Sequence, residues 1–443
     1  MEAEELFHDY QELIMEMPEE YYADCLKALE KVKNSSARYH GHPVEFLYQP
    51  MFFAREDIRR FDELSRKLTI ILKKIIAEYR SNPAFRQHFP FSDLLEELIL
   101  VDPGYQVEFP VARFDIFYHY DGQAQFCELN ADGSSGMNEA RVLQEVIGEA
   151  RAFQPFIEDY QVDSHEYFRS WLREMLKNYK EYNGGRDDHP NIAIVDFTGE
   201  GTVSEFEQFQ RCFQEEGYQT VICDPREMEY VEGSLFYQGL KVKLIYRRAT
   251  TARLVEMADE IADFLAAYRD GAVCVVGGLV SQLIHNKFLF ALLHDRNKLP
   301  FLSEEEHQFI SKHIPYTEIF DPDNKQQGER LLREKDWLVL KPFDKFASHG
   351  VYIGRDFTPK EWQMKIAEAA GEDYLVQEFC SVPAQKMLTA AEGKLFFEDY
   401  HYIIGLFMFN QRLSGLYTRV SRANIIGSIV ECYTVPNFVI KEK

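Results

Sequence analysis

The sequence predicts an α/β protein whose helical and strand-rich stretches occupy different parts of the chain. Three observations carry that expectation. Residues 1 to about 100 place apolar side chains at helical spacing, Ile192 to Cys223 reads as strand, helix and strand, and the stretch from about 301 onward changes to short apolar strands separated by turns.

Size and charge narrow the function. The 443 residues suffice for two or three domains, and 46% hydrophobic with 28% charged is ordinary for a globular chain. A formal net charge of −24 argues against nucleic acid or an anionic membrane as the main partner, since both demand a basic face. The opening Met1-Glu2-Ala3-Glu4-Glu5-Leu6 lacks a signal-peptide layout, and the longest apolar stretch, around Ala272 to Ile284, is too short to span a bilayer. The expected location is the cytoplasm. Seven cysteines scattered without CxxC spacing are expected to pack rather than form disulfides or bind zinc. The histidines, His40 and His42 among them, show no recurring ligand spacing.

In chain order, Ile58, Phe61, Leu64, Leu68, Leu72 and Ile75 form one apolar stripe and predict a core-facing helix. Val111 to Tyr120 and Gln123 to Asn130 then predict two strands joined by Asp121-Gly122, the preferred type I′ hairpin dipeptide. Counting outward from Tyr120 opposite Gln123 sets Asp115 across from Glu128 and Arg113 across from Asn130, all on one face. Phe114, Ile116 and Tyr118 point into a core on the other. Two carboxylates facing each other across a ladder repel, so a cation is expected between them. Asp115, Glu128 and Asn130 offer hard oxygen ligands that suit Mg²⁺. Alternatively, Arg113 neutralises the carboxylates in a salt-bridge patch.

The loop Ala131-Asp132-Gly133-Ser134-Ser135-Gly136 leads into a helix from about Asn138 to Gly148, and either holds an anion or merely turns. A helical stretch runs from about 156 to Tyr182, and residues 183 to 190 read as an exposed linker. Ile192 to Phe197 is a buried strand; Ser204 with Glu207 predicts a capping box; Phe206, Phe209 and Phe213 face inward; Gly217 closes the helix before the strand Thr220 to Cys223. This βαβ unit implies parallel sheet. A strand Lys243 to Tyr246 leads to Arg247-Arg248, read as a salt-bridged strand end or a carboxylate-binding pair, and then to a helix from about Thr251 to Tyr268. After the strand Ala272 to Val276, Gly277-Gly278 precede a helix carrying Asn286-Lys287, and with no GxGxxG a dinucleotide site is disfavoured. The last unit supplies strands at Trp337 to Pro342, Gly350 to Gly354, Tyr374 to Phe379 and Tyr402 to Asn410.

Leu340-Lys341-Pro342 followed by Gly350-Val351 and Gly354, then Val376-Gln377-Glu378, Asn286-Lys287 and Tyr246-Arg247-Arg248, together with the acidic hairpin, resemble a circularly permuted ATP-grasp protein of the glutathionylspermidine synthase-like group. The acidic strands precede the lysines, which is the permuted order. The resemblance implies a helical N-terminal region plus metal-site hairpin at 1–155, a Rossmann-like pre-ATP-grasp domain at 156–300 and the ATP-binding part at 301–443. It implies an ATP-dependent carboxylate-amine ligase working through an acylphosphate, with ATP and Mg²⁺ required and small-molecule carboxylate and amine substrates. Lys287 and Lys341 would contact phosphate, Gln377 and Glu378 would meet adenine, and Asp115, Glu128 and Asn130 would hold the metal. Arg113 would stabilise the acylphosphate and the oxyanion. Near the C-terminus either Arg419 or Arg422 would reach the site, with Arg419 preferred. The loop Asp344 to His349 departs from the group in having no glycine, though Lys345, Ser348 and His349 offer side-chain contacts instead. A catalytically inactive nucleotide-binding scaffold and a small-molecule kinase are the alternative functions.

Overall fold

In the computed structural model, which describes residues 3–39, 41–186, 188–343, 349–391, 393–427 and 431–442, three larger sheets surround a cleft. The central sheet has six strands. Its order is Tyr433–Val435, Arg412–Ser421, Lys394–Phe409, Val111–Tyr118 and Ala124–Asn130, with Ala384–Ala391 pairing the first half of the long Lys394–Phe409 strand. A hairpin from the first third of the chain thus completes a sheet built by its C-terminal strands: Arg113 pairs with Phe407 and Asp115 with Gly405.

One face of this sheet packs on the N-terminal helices. Phe114, Ile116, Tyr118, Leu406 and Leu416 share a core with Phe61, Leu68, Leu72 and Ile75 of the helix Arg55–Ser81. That helix carries the stripe expected from the sequence. The opposite face of the sheet is turned to the cleft.

The hairpin has the expected pairing at its functional end, by a different route. Its turn is a three-residue loop, Tyr120-Asp121-Gly122, closed by hydrogen bonds from His119 N to the Gln123 carbonyl (2.9 Å) and from Gly122 N to the His119 carbonyl (2.8 Å). Gly122 takes the left-handed conformation (φ +92°), as such loops require. The type I′ expectation is therefore off by one residue. A bulge at Cys127 removes that offset, so Asp115 still faces Glu128 and Arg113 still faces Asn130.

The second sheet is parallel, in the order Cys274–Val276, Leu244–Arg247, Ile192–Val195 and Thr220–Cys223. Phe206, Phe209 and Phe213 of the helix Val203–Glu215 cover it. The expected capping box does not form there. Thr202 is the N-cap, and the Ser204 hydroxyl donates to the Arg38 carbonyl (3.4 Å) instead. The stretches expected as single helices are broken. Phe153–Asp159 and Phe168–Tyr182 flank a strand, Tyr160–Asp163, drawn into sheet by Asn437–Glu442, and Thr251–Glu256 is separate from Ala262–Arg269. Asn286-Lys287 lies at a break between the short helices Gln282–His285 and Phe288–His294. A meander of Met228–Val231, Ser234–Tyr237 and Leu240–Val242, which no strong periodicity marks, follows the βαβ unit.

The third sheet runs Thr317–Ile319, Tyr374–Glu378, Leu338–Pro342 and Tyr352–Ile353. Alternation divides its faces. Leu338, Leu340, Tyr374 and Val376 pack beneath it on Trp362, while Val339, Lys341, Ile353 and Gln377 line the cleft. The seven cysteines are free thiols, five of them buried. Among the described residues, no helix is long and apolar enough to cross a membrane.

Candidate functional site

The three sheets converge on a cleft of about 1320 Å³, larger than the usual 300–1,000 Å³ of a small-ligand pocket and roomy enough for more than one ligand. Its floor is the polar face of the hairpin. Tyr417, Gly405, Asp115 and Glu128 lie in one row across four paired strands. Gly405 makes the row possible: a Cβ there would stand 2.6 Å from Arg113 Cδ and 3.0 Å from Asp115 Oδ1. The gap lets Arg113 fold along its own strand and grip Asp115 with two hydrogen bonds, Nε to Oδ1 at 2.7 Å and Nη2 to Oδ2 at 3.0 Å.

Arg419 reaches the same carboxylate from two strands away, Nη2 to Oδ2 at 2.8 Å, and the Asn130 amide donates to that oxygen at 3.2 Å. Arg422 instead pairs with Glu431 at the exposed edge. Glu128 is held by Lys287, Nζ to Oε1 at 2.8 Å, and accepts from Asn130 at 3.3 Å. Burial alone would raise the Glu128 carboxyl, but Lys287, with His285 and Lys341, holds it well below its ordinary range. Arg419, although buried, is stabilised as a cation by Asp115.

Lys341 faces the hairpin from the third sheet, with Nζ 3.5 Å from the carbonyl of Cys127, the bulged residue. Lys287 N donates to the Phe343 carbonyl (3.0 Å), tying the helix break to the end of the Lys341 strand. Gln377 is buried and donates to the Thr317 hydroxyl (2.9 Å), while Glu378 is exposed at the cleft edge. Next to them, Phe117, Phe379, Val382, Ile403 and Ile426 form an apolar patch between the two sheets. Lys345 and Ser348 lie outside the described residues.

The third wall is the loop 131–136, pinned by two buried ion pairs. Arg247 meets Asp132 at 2.5 Å, and Asp132 also accepts from Thr251 N (2.6 Å) and its hydroxyl (3.1 Å). Burial would raise the Asp132 carboxyl, and Arg247 lowers it below its ordinary value. Arg248 meets Glu205 at 3.3 Å and donates to the Ser134 and Gly133 carbonyls. Glu205 in turn accepts from Gly136 N (3.0 Å) and Asn138 N (3.1 Å), donors at the start of the helix Met137–Gly148 that the helix itself cannot satisfy. The Ser135 carbonyl completes the circuit by accepting from Arg113 Nη1 at 2.8 Å. Both arginines at the strand end are thus salt-bridged. Arg248 also lines the cleft, and its Nε has no hydrogen-bond partner among the described residues. Nothing in the local pattern announces Glu205, Glu139 or Gly405, because each acts on residues far away in the chain.

A divalent cation fits part of this floor. Asp115 accepts four N–H donors, one on Oδ1 from Arg113 and three on Oδ2 from Arg113, Arg419 and Asn130, so the acceptor directions of Oδ2 are saturated. Turning the Asn130 amide over frees one of them and presents Asn130 Oδ1 beside Glu128, which gives the hard oxygen set that Mg²⁺ prefers. Among the described residues there is no group of three or more His, Cys, Asp or Glu side chains placed to hold a metal unaided.

No protein-family profile and no curated protein matches the sequence. Solved structures do. A glutathione synthetase-like effector from Globodera pallida, in its apo form, superposes with a TM-score of 0.61 over 95% of this chain and 97% of that one, at 11% identity. A putative γ-glutamylcysteine synthetase from Methylobacillus flagellatus covers 83% of this chain and 87% of its own at 10% identity, with a TM-score of 0.43. D-alanyl-alanine synthetase A from Vibrio cholerae covers 58% of this chain and 90% of its own at 10% identity, with a TM-score of 0.31. On the first of these likenesses, which spans nearly the whole of both molecules, the chain shares its fold with that glutathione synthetase-like effector.

Proposed function

We propose that the protein is an ATP-dependent ligase that joins a small-molecule carboxylate to an amine, releasing ADP and phosphate. The observation that carries this reading is the charge balance of the floor. Four cationic side chains, Arg113, Arg419, Lys287 and Lys341, converge on two carboxylates, Asp115 and Glu128. In a chain of net charge −24, a floor with two positive charges in excess suits phosphates and a second anion, such as a carboxylate. The glutathione synthetase-like fold supports the same reading.

Each residue then has a role. Lys287 and Lys341 lie against the hairpin from the side of the third sheet and neutralise phosphate, while the apolar patch beside Gln377 and Glu378 accepts a base. Asp115, Glu128 and Asn130 would hold Mg²⁺, which when bound offsets the charge of the phosphate oxygens. Arg113, fixed at both ends by Asp115 and the Ser135 carbonyl, binds the carboxylate undergoing phosphorylation and stabilises the oxyanion formed when an amine attacks the acylphosphate. Arg419 shares that anion. The walls hold the reactants in register and exclude water, the main contributions a protein makes to phosphoryl transfer. The carboxylate class suggested by the group resemblance is a glutathione-like peptide and the amine class a polyamine.

The test is ADP release with a panel of carboxylates (glutathione, γ-glutamylcysteine and free amino acids) against a panel of amines (amino acids and spermidine). The proposal requires ADP that depends on both partners, with an amide product by mass spectrometry, and its loss in Lys341→Ala. ADP formed with the carboxylate alone, together with a stable phosphorylated product, would identify a kinase instead.

A further inference from the structure

One buried acid in the cleft wall has no task in this chemistry so far. Glu139 is the third residue of the helix Met137–Gly148, is 6% exposed and lines the cleft. An acid at this position commonly folds back to cap its own helix. Here Glu205 already accepts from the helix-start amides, and Glu139 turns to the central sheet. Its Oε2 accepts from the Tyr417 hydroxyl at 2.6 Å and from the Thr434 hydroxyl at 3.2 Å. Its Oε1 accepts no hydrogen bond, and the carboxylate has no ion-pair partner, among the described residues.

Position gives this acid its interest. The Arg113 guanidinium lies over the Tyr417 ring, 5.2 Å from its centroid, and Arg419 lies 5.8 Å from the same centroid. Glu139 therefore holds the hydroxyl of the same tyrosine whose ring carries the guanidiniums assigned to the acyl oxygens. An amine nucleophile arrives at neutral pH as an ammonium ion and cannot attack until it loses a proton. We infer that Glu139 is the proton acceptor for the incoming amine, with Tyr417 and Thr434 holding its second oxygen in place. This rests on the ligase reading.

The step balances. Glu139 takes one proton from R–NH3⁺, leaving R–NH2 and the neutral acid. The nitrogen lone pair forms the C–N bond and the carbonyl π pair moves onto oxygen as the oxyanion; its return breaks the bond from the carbonyl carbon to the phosphate oxygen, and phosphate leaves with the electron pair. The second nitrogen proton passes to phosphate or solvent, and Glu139 returns its own to solvent.

The charged and titratable groups facing Glu139 are Arg113 and Tyr417 on the central sheet, Glu205 on the helix Val203–Glu215 and Cys432 before the last strand of that sheet. Burial, and then Glu205, raises the Glu139 carboxyl above its ordinary value, against the lowering effect of its two hydrogen bonds and Arg113. A base is more effective as its pKa approaches the working pH.

Two amines of different basicity test this with the same panel of carboxylates. Spermidine is an ammonium ion at pH 7, whereas hydroxylamine is largely neutral and needs no base before attack. In Glu139→Gln, spermidine turnover should fall about 100-fold or more through kcat, while hydroxamate formation from hydroxylamine changes little. In Tyr417→Phe, which keeps the ring and removes a donor to the carboxylate, the acid limb of the spermidine pH profile should move to higher pH. Equal losses with both amines in Glu139→Gln, or an unmoved acid limb in Tyr417→Phe, overturn the inference while leaving the ligase reading standing. A wild type that makes neither product with any carboxylate of the panel overturns the ligase reading and this inference with it. Folding of Glu139→Gln is checked by its nucleotide-induced thermal shift; if that shift is lost, the Tyr417→Phe profile decides.

Discussion

Asp115→Asn probes the floor of the cleft most sharply, because Asp115 is fully buried and is the counter-ion of two guanidiniums. The substitution preserves shape and one acceptor oxygen but removes the charge. Arg113 and Arg419 then remain in a buried site with no carboxylate between them. Removing one partner of a buried ion pair costs about 3–5 kcal/mol, most of it the penalty of the charge left behind. The retained carbonyl and the nearby cleft place this case toward ~3 kcal/mol. With an unfolding entropy of ~2.1 cal/mol/K per residue over the 443-residue chain, the melting temperature should drop by roughly 3 °C. Urea unfolding followed by tryptophan fluorescence measures the loss directly. Adding Arg419→Met to Asp115→Asn should restore ~1 kcal/mol or more, because it removes one of the two stranded charges. A loss below ~1 kcal/mol, or strictly additive effects in the double mutant, would mean that the guanidiniums are solvated and the floor is not a charge-balanced unit.

Three further outcomes follow from named contacts. Gly405→Ala places a methyl 2.6 Å from Arg113 Cδ, so Arg113 must leave Asp115; a cost of ~1–3 kcal/mol and a large fall in turnover are expected, and an unchanged enzyme would show that the bidentate grip is dispensable. Glu128 has a folded-state pKa below its ordinary value of 4.5, so its stabilising effect is complete above that value and is lost as the pH falls; the stability gap between wild type and Glu128→Gln should narrow on acidification, and a gap that widens contradicts the Lys287 pairing. Glu205→Gln weakens the hold on Arg248 and on the start of the helix Met137–Gly148, so hydrogen exchange in the loop 131–136 should accelerate, whereas unchanged exchange there would deny Glu205 its anchoring part.

The parts of the fold legible in the sequence are those set by local periodicity. The 3.6-residue stripe from Ile58 to Ile75, the three phenylalanines of the helix Val203–Glu215 and the alternation in the hairpin each need only near neighbours to be read. The pairing of Asp115 with Glu128 is also legible, although the turn and the Cys127 bulge each depart by one residue and cancel. What is not legible depends on distant partners. Tyr160–Asp163 is a strand because Asn437–Glu442 offers it an edge, and Thr202 stands at the N-cap in place of Ser204, whose hydroxyl donates to the Arg38 carbonyl. The candidate site divides the same way. The chemistry-bearing residues Arg113, Asp115, Glu128, Asn130, Lys287, Lys341 and Arg419 come together at the cleft. The devices that position them, Gly405, Glu205 and the buried Asp132–Arg247 pair, have no sequence signature of their own.

In the proposed ligase, the cleft between the hairpin and the third sheet binds a magnesium nucleotide. Thermal unfolding of the wild type beside Lys341→Ala and Glu128→Ala, with Mg²⁺ and a non-hydrolysable ATP analogue, tests it most directly. Ligand at ~100 times its dissociation constant should stabilise the wild type by roughly 2.7 kcal/mol, and both variants should lose that rise. An equal rise in all three proteins, or none in the wild type, would rule out nucleotide binding at Lys341 and Glu128.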